Sequence, residues 1–194
     1  MPQQIIGIIG CVGSGKDTCG DYLITHYKFK KTAYAKKVKD VASIVFGWDR
    51  GMMEGATKES REWREQIDPF WEISPRVAMQ KIGTDMFREH IDKDVWIKSV
   101  IKEVSSSTDN YVITDCRFEN EVEAIKKLGG KILYIERGEI PSWVKEAKEG
   151  KPCIKDIHVS DWNPYMLSKY ANYTIYNNGT LEELYKEINN ILTG

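Results

Sequence analysis

The 194-residue chain is poor in the residues that would tie it together by covalent or metal links. Its four cysteines, Cys11, Cys19, Cys116 and Cys153, are scattered, with no Cys-x-x-Cys pair, and it has only three histidines. No convincing zinc constellation can be assembled from them, and the cysteine usage points to a reducing compartment. No stretch approaches the ~20 apolar residues that cross a bilayer. The N-terminus carries no basic segment followed by an apolar run, so no secretory leader is expected. There is no excess of either charge: 28 Lys and Arg face 29 Asp and Glu, for a net charge of -1. That balance gives no support to a nucleic-acid or membrane-surface partner, and any positive site must be local. Internal repeats and low-complexity tracts are also lacking. Asn172-Tyr173-Thr174 and Asn178-Gly179-Thr180 fit the glycosylation pattern. In a chain with this cysteine usage, which points to a reducing cytoplasm, they are chance matches.

What is present is an alternation of apolar runs and amphipathic stretches. Ile5, Ile6, Ile8 and Ile9 suit a strand buried on both faces. A helix is expected over 17–27, a weak strand over 32–35 and a helix over 37–46. Residues 47–74 are charged and aromatic and resist assignment. Pro75 opens a helix on which Met79, Ile82 and Met86 mark an apolar stripe. Further elements follow: a helix over 95–104, a strand over 111–114, a helix over 119–128 closed by Gly129-Gly130, and a strand over 131–135. A polar excursion occupies 138–157. The last strand is expected at 173–176, and Thr180-x-x-Glu183 is a capping box for the final helix. Strands alternating with helices predict an α/β fold with a parallel sheet covered on both faces.

Between the first strand and the first helix lies Gly10-Cys11-Val12-Gly13-Ser14-Gly15-Lys16-Asp17-Thr18. Glycines let the backbone curl so that the N–H groups of Val12, Gly13, Ser14 and Gly15 face phosphate oxygens, and the helix start adds its positive dipole end. Lys16 is spaced to reach β- and γ-phosphates. The general pattern has a hydroxyl after the lysine; here Asp17 stands there and the hydroxyl comes one later, at Thr18. A carboxylate is a hard oxygen donor, so Asp17 suits Mg²⁺, directly or through water, with Thr18 left for the α-phosphate. Asp115 ends an apolar strand, where ligands bind in open α/β sheets, and is a second candidate for magnesium, with capping of the next helix as the plain alternative. Arg117 follows it.

Arg76, Gln80 and Thr84 recur every four residues, which on an α-helix sets them along one face. Such a face can grip a phosphate and a base edge, or simply be solvated. Arg88 lies further along the same helix, rotated by roughly 120° from Arg76 at 3.6 residues per turn. Arg137 follows a strand at the start of the polar excursion, where a lid would bring a cation to a moving phosphoryl group; a surface arginine is the plain alternative.

Together these segments resemble the deoxynucleoside monophosphate kinases of tailed phages. Gly-Ser-Gly-Lys-Asp-Thr at 13–18 has the form that family uses and accounts for Asp17. Val38-Lys39-Asp40, Met79-Gln80-x-Ile82-Gly83-Thr84-Asp85, Ile113-Thr114-Asp115-Cys116-Arg117 with Glu121, and Asn177-Asn178-Gly179-Thr180-Leu181-Glu182-Glu183-Leu184 match in order. His158-x-Ser160-Asp161 departs from the family's His-x-Ser-Glu. The likeness is weak over 47–74 and 138–157.

The resemblance implies a single three-layer α/β/α P-loop kinase domain over 1–194. It has a central parallel sheet of about five strands, an acceptor-binding helical insertion over about 47–92 and a lid-like excursion over about 138–160. It implies ATP- and Mg²⁺-dependent phosphorylation of a deoxynucleoside monophosphate, in the host cytoplasm if the gene is viral, and often a homodimer. Lys16, Asp115, Arg117 and Arg137 are the candidates to act on the transferred group. The loop with Asn177 and Gly179 would hold ATP, the last two near the adenine. Lys39, Arg76, Gln80, Thr84 and Arg88 would bind the acceptor nucleotide. Two other readings of the loop stay open: a kinase of another small phosphorylated acceptor, such as phosphomevalonate, and a nucleotide-binding regulator without turnover.

Overall fold

The computed structural model describes residues 2–141, 144 and 159–193. The chain divides into two compact units, one made of residues 1–33 and 103–194 and the other of residues 34–102.

The first unit is built on a five-stranded parallel sheet in the order β2-β3-β1-β4-β5. Its strands are β1 (Ile5–Ile9), β2 (Lys30–Thr32), β3 (Tyr111–Ile113), β4 (Lys131–Glu136) and β5 (Tyr173–Tyr176). The helices of this unit are α1 (Lys16–Tyr27), α7 (Glu119–Lys127), α8 (Val159–Leu167) and α9 (Leu181–Thr193). Strand alternation sorts the side chains onto two faces. Ile6, Ile8, Val112, Leu133, Ile135 and Ile175 pack on one of them with Cys19 and Leu23 of α1 and Leu184 and Ile188 of α9. On the other face α7 presses so close to β1 that a Cβ on Gly7 would stand 2.6 Å from Ile125 Cδ1. The result is the three-layer α/β/α sandwich that the alternation of elements predicts. Burial pushes the Cys19 thiol up to about 12 and Cys116 well above the usual thiol range, so both act as small apolar core residues.

Strand β2 differs from expectation. It covers Lys30–Thr32, not 32–35, and the next helix already starts at Tyr34. Lys30 pairs with Tyr111 and its N–H donates to Asn110 O at 2.8 Å, so the ladder begins directly after the turn. As an edge strand it tolerates two exposed lysines, which an apolar-run criterion overlooks.

The local end signals held. Gly130 N donates to Ile125 O and Gly129 N to Lys126 O, both at 2.9 Å, with Gly129 at φ 76: a Schellman closure of α7. Thr180 N donates to Glu183 Oε2 at 2.8 Å and Glu183 N to Thr180 Oγ1 at 3.3 Å, completing the capping box of α9. At the start of α7, Glu121 is 1% exposed and accepts from Arg117 N at 2.7 Å and Phe118 N at 3.1 Å. Glu121→Ala should strand those donors and cost about 1–3 kcal/mol. A lowered urea midpoint with an unchanged slope is the expected result; an unmoved midpoint would show that solvent replaces the carboxylate.

The second unit is helical. It contains α2 (Tyr34–Phe46), a 3₁₀ turn at Met52–Glu54, α3 (Lys58–Glu65), α4 (Pro75–Gln80), a π turn at Lys81–Met86, α5 (Phe87–His90) and the first turns of α6 (Val95–Ser105). The segment 47–74 thus has structure of its own. Thr57 and Ser60 cap α3 reciprocally, Ser60 N donating to Thr57 Oγ1 at 3.1 Å and Thr57 N to Ser60 Oγ at 3.0 Å. Its aromatics pack on one another: Phe46 stacks on Trp48 at 4.4 Å, while Trp71 stands edge-on to Phe46 and Trp63 edge-on to Trp48.

The π turn corrects the stripe read from Met79, Ile82 and Met86. Phe87 N donates back to Ile82 O, five residues away, and Trp96 Nε1 donates to Gly83 O at 2.8 Å, satisfying a carbonyl that the α ladder has released. The extra residue in that turn shifts the phase: Ala78 and Ile82 are the buried positions and Met86 is 55% exposed. The excursion expected over 138–160, with Cys153 and the His158-x-Ser160-Asp161 motif, falls for the most part outside the described residues.

Candidate functional site

The phosphate loop joins β1 to α1 at the carboxyl edge of the sheet. Gly13 (φ 78) and Gly15 (φ 103) take left-handed conformations that only glycine adopts cheaply, and Ser14 N donates to Cys11 O at 3.1 Å to close the turn. Val12 is 80% exposed and Ser14 buried. Gly15 is the cap of α1, so the helix's first N–H groups open onto the loop. Lys16 Nζ reaches back across the loop to donate to Cys11 O at 2.7 Å. Burial, and then the charge of Arg117, hold the Lys16 pKa below the usual lysine range, while Asp17, Cys11 and Asp115 pull the other way. Lys16, Asp17, Asp115 and Arg117 are therefore electrostatic neighbours. Thr18 is half-buried in the first turn of α1.

Asp17 is held from two sides. Lys31 Nζ of β2 donates to its Oδ1 at 3.0 Å, and Thr114 Oγ1, just past β3, makes a 3.5 Å contact with the same oxygen. Its side chain is 79% exposed. Close approach of α1 to that strand end depends on Gly20, where a Cβ would stand 2.6 Å from Thr114 Cγ2. Two carboxylates, Asp17 and Asp115, are hard donors of the sort Mg²⁺ takes. Among the described residues no group of three His, Cys, Asp or Glu could hold a metal by itself. That donor set fits an ion that keeps water and completes its shell with substrate phosphates, as Mg²⁺ does.

Arg117, half-buried, is fixed through its backbone: its N–H goes to Glu121 and its carbonyl accepts from Asn163 Nδ2 at 2.5 Å. Arg137 is exposed directly after β4. On the far side of the loop, Asn177 Nδ2 donates to Ser14 O at 2.9 Å and Asn177 N to Glu136 O at 2.8 Å. Gly138 N donates to Asn178 Oδ1 at 2.7 Å. The turn after β5 is thus buttoned to the phosphate loop and to the end of β4. Gly179 packs against the Glu183 carboxylate with no room for a Cβ.

The acceptor candidates all belong to the second unit. Arg76 and Gln80 share α4 and are one turn apart, and Arg76 Nη1 pairs with Glu65 Oε1 at 3.1 Å. Thr84 lies inside the π turn and Arg88 beyond it, so the unbroken face read from Arg76, Gln80 and Thr84 extends only from Arg76 to Gln80. Lys39 Nζ is paired with Glu54 Oε2 at 2.5 Å, its side chain only 15% exposed, and Glu54 is shared with Arg50. Those paired cations hold the Glu54 carboxyl below the ordinary range against the effect of its burial.

The profile of the family described as deoxynucleotide monophosphate kinase matches residues 53–188. The chain belongs to that family. A deoxynucleotide monophosphate kinase of Escherichia phage RB69 is 29% identical over 98% of this chain and 100% of its own, and a protein of Acanthamoeba polyphaga mimivirus is 28% identical over 95% of this chain and 93% of its own. Among solved structures, a shikimate kinase from Aquifex aeolicus superposes with a TM-score of 0.54 at 19% identity, covering 98% of this chain and 97% of that one. The Thermus thermophilus protein TT1252 does so with 0.52 at 16%, covering 100% and 98%. Those likenesses show the P-loop kinase fold. This family member is a kinase with a nucleotide-phosphate donor.

Several residues of these surroundings carry no signal in the sequence: Lys31 on Asp17, Asn163 on Arg117, and Arg50, Arg61 and Arg64 around the acceptor candidates. Lys31 is brought to Asp17 only by sheet pairing, and no local pattern announces that. Among the described residues no helix is long and apolar enough to cross a membrane.

Proposed function

We propose that the protein transfers the γ-phosphoryl group of ATP to the phosphate of a deoxynucleoside monophosphate, giving the diphosphate and ADP, in the cytoplasm of a host cell. The observation that carries this is the grouping of Lys16, Asp17, Asp115 and Arg117 around a glycine-rich loop at the carboxyl edge of the sheet, in a chain of this family.

The acceptor oxygen is already anionic, so no general base is needed; alignment and cations over the moving group are. The N–H groups of residues 12–16 cradle the donor's phosphates, and Thr18 serves the α-phosphate. Lys16 leaves the Cys11 carbonyl for the β- and γ-oxygens, where its charge is worth more than on a neutral acceptor. Mg²⁺, held by Asp17 and Asp115 directly or through water, would neutralise charge on the donor's phosphates. Arg117 and Arg137 supply cations to the transferred group. Asn177 and Gly179 flank the adenine. Lys39, Arg76, Gln80, Thr84 and Arg88 hold the acceptor.

The test is a coupled ADP-release assay against the four deoxynucleoside monophosphates and modified pyrimidine monophosphates. At least one should be phosphorylated well above background, and silence across the panel would overturn the reading. Within that assay Arg76→Ala should raise KM for the acceptor by about 10- to 100-fold, as loss of a charged hydrogen bond does. KM for ATP should hold. An unchanged acceptor KM would return Arg76 to its Glu65 pair on a solvated surface.

A further inference from the structure

Several cations in the second unit are matched by carboxylates. Arg50 pairs with Asp40 at 2.8 Å and with Glu54, Lys39 with Glu54, and Arg76 with Glu65. Arg64, in the last turn of α3, makes no ion pair among the described residues. There its guanidinium makes a single long hydrogen bond, Nη1 to Met53 O at 3.4 Å, and its buried Nε has no partner. A guanidinium has five donors, and leaving them unmet in a half-buried setting is costly.

The chain is nevertheless shaped to keep it there. Gly55 sits at φ 67, and a Cβ on it would stand 2.4 Å from Arg64 Cζ, so the guanidinium lies flat on the glycine backbone. Arg61 holds the same turn, Nη1 donating to Gly55 O at 3.2 Å and Ala56 O at 3.1 Å. Burial lowers the Arg64 pKa first and the charge of Arg76 next, with Arg61 adding to it and Glu65 and Glu54 opposing. Like charges gathered round an under-bonded guanidinium disfavour the protein by itself and favour it once a dianion arrives.

We propose that Arg64, cradled on Gly55 and acting with Arg76, binds the phosphate monoester dianion of the acceptor nucleotide. The proposal rests on the acceptor reading above and names the residue that reading lacked. A planar fork suits bidentate contact with a phosphate, which a lysine could not reproduce.

The experiment compares wild type with Arg64→Gln, Arg64→Lys and Gly55→Ala, each confirmed folded by its unfolding transition. KM for the acceptor and for ATP are measured, together with binding of the deoxynucleoside monophosphate, its unphosphorylated deoxynucleoside and inorganic phosphate. Arg64→Gln should raise acceptor KM about 10- to 100-fold with KM for ATP within twofold. It should also erase the preference for the monophosphate over the deoxynucleoside. Gly55→Ala should do the same in part, though it removes no charge, because the new Cβ displaces the guanidinium. Arg64→Lys should recover less than a tenth of the lost affinity.

Phosphate affinity carried by free inorganic phosphate alone, with no preference for the nucleotide, would overturn the acceptor assignment. So would variants with wild-type KM and only a lowered unfolding midpoint, the mark of a structural arginine. If Arg64→Gln does not fold, Arg64→Lys and Gly55→Ala decide by the same KM split. Should wild type phosphorylate no nucleotide, the functional reading fails separately. Loss of monophosphate binding in Arg64→Gln still decides whether Arg64 is a phosphate ligand.

Discussion

Lys16→Ala is expected to lower kcat by at least 10²–10³-fold, the order of magnitude for removing one preorganised charge from a transition state. Lys16 is the one lysine in the phosphate loop, and it lies beside Arg117, Asp17 and Asp115. Its link to the Cys11 carbonyl is only 2.7 Å long, yet joins a charge to a neutral oxygen, so anionic phosphates displace it readily. Lys16→Arg should recover little, since the longer planar fork cannot occupy the space of an ammonium in a tight loop. The fold should survive, because the Cys11 carbonyl remains satisfiable by water. Steady-state kinetics with the preferred acceptor read the effect; a kcat near wild type would remove the loop from the reaction.

Gly15→Ala is expected to raise KM for ATP by about 10- to 100-fold, from a strain of about 1–3 kcal/mol at a conformation closed to other residues. Two independent features converge there. The φ of 103 lies outside the range of L side chains, and the added Cβ would stand 2.5 Å from Asn177 Nδ2, the group that donates to Ser14 O. Relief requires the loop to turn its N–H groups away from the phosphates, the Asn177 link to break, or both. Acceptor KM should move little. If ATP binding is unaltered in direct titration, the N–H groups of this loop do not carry the nucleotide.

How far the chain could be read from its residues depends on the range of the interaction. The phosphate loop, the first strand, the Gly129-Gly130 closure and the Thr180–Glu183 box are each fixed by neighbours a few residues apart. Each stands where the sequence puts it. Strand β2 slipped because an edge strand need not be apolar. The face from Arg76 to Thr84 broke because a π turn abandons the 3.6-residue period, and its cause, Trp96 on Gly83, lies thirteen residues away. Lys31 reaches Asp17 across fourteen residues and Asn177 reaches Ser14 across 163, contacts that exist only once the sheet is paired. Arg64 was invisible for a further reason: α3 is eight residues long, too short for periodicity, and its one informative feature is a glycine nine residues earlier.

The central claim is direct transfer between two nucleotides, and ATP labelled in its γ-phosphate tests it most directly. With the accepted deoxynucleoside monophosphate and Mg²⁺, the label should appear in the β-phosphate of the deoxynucleoside diphosphate, one for each ADP formed. Label released as inorganic phosphate, with the monophosphate unchanged, would contradict it.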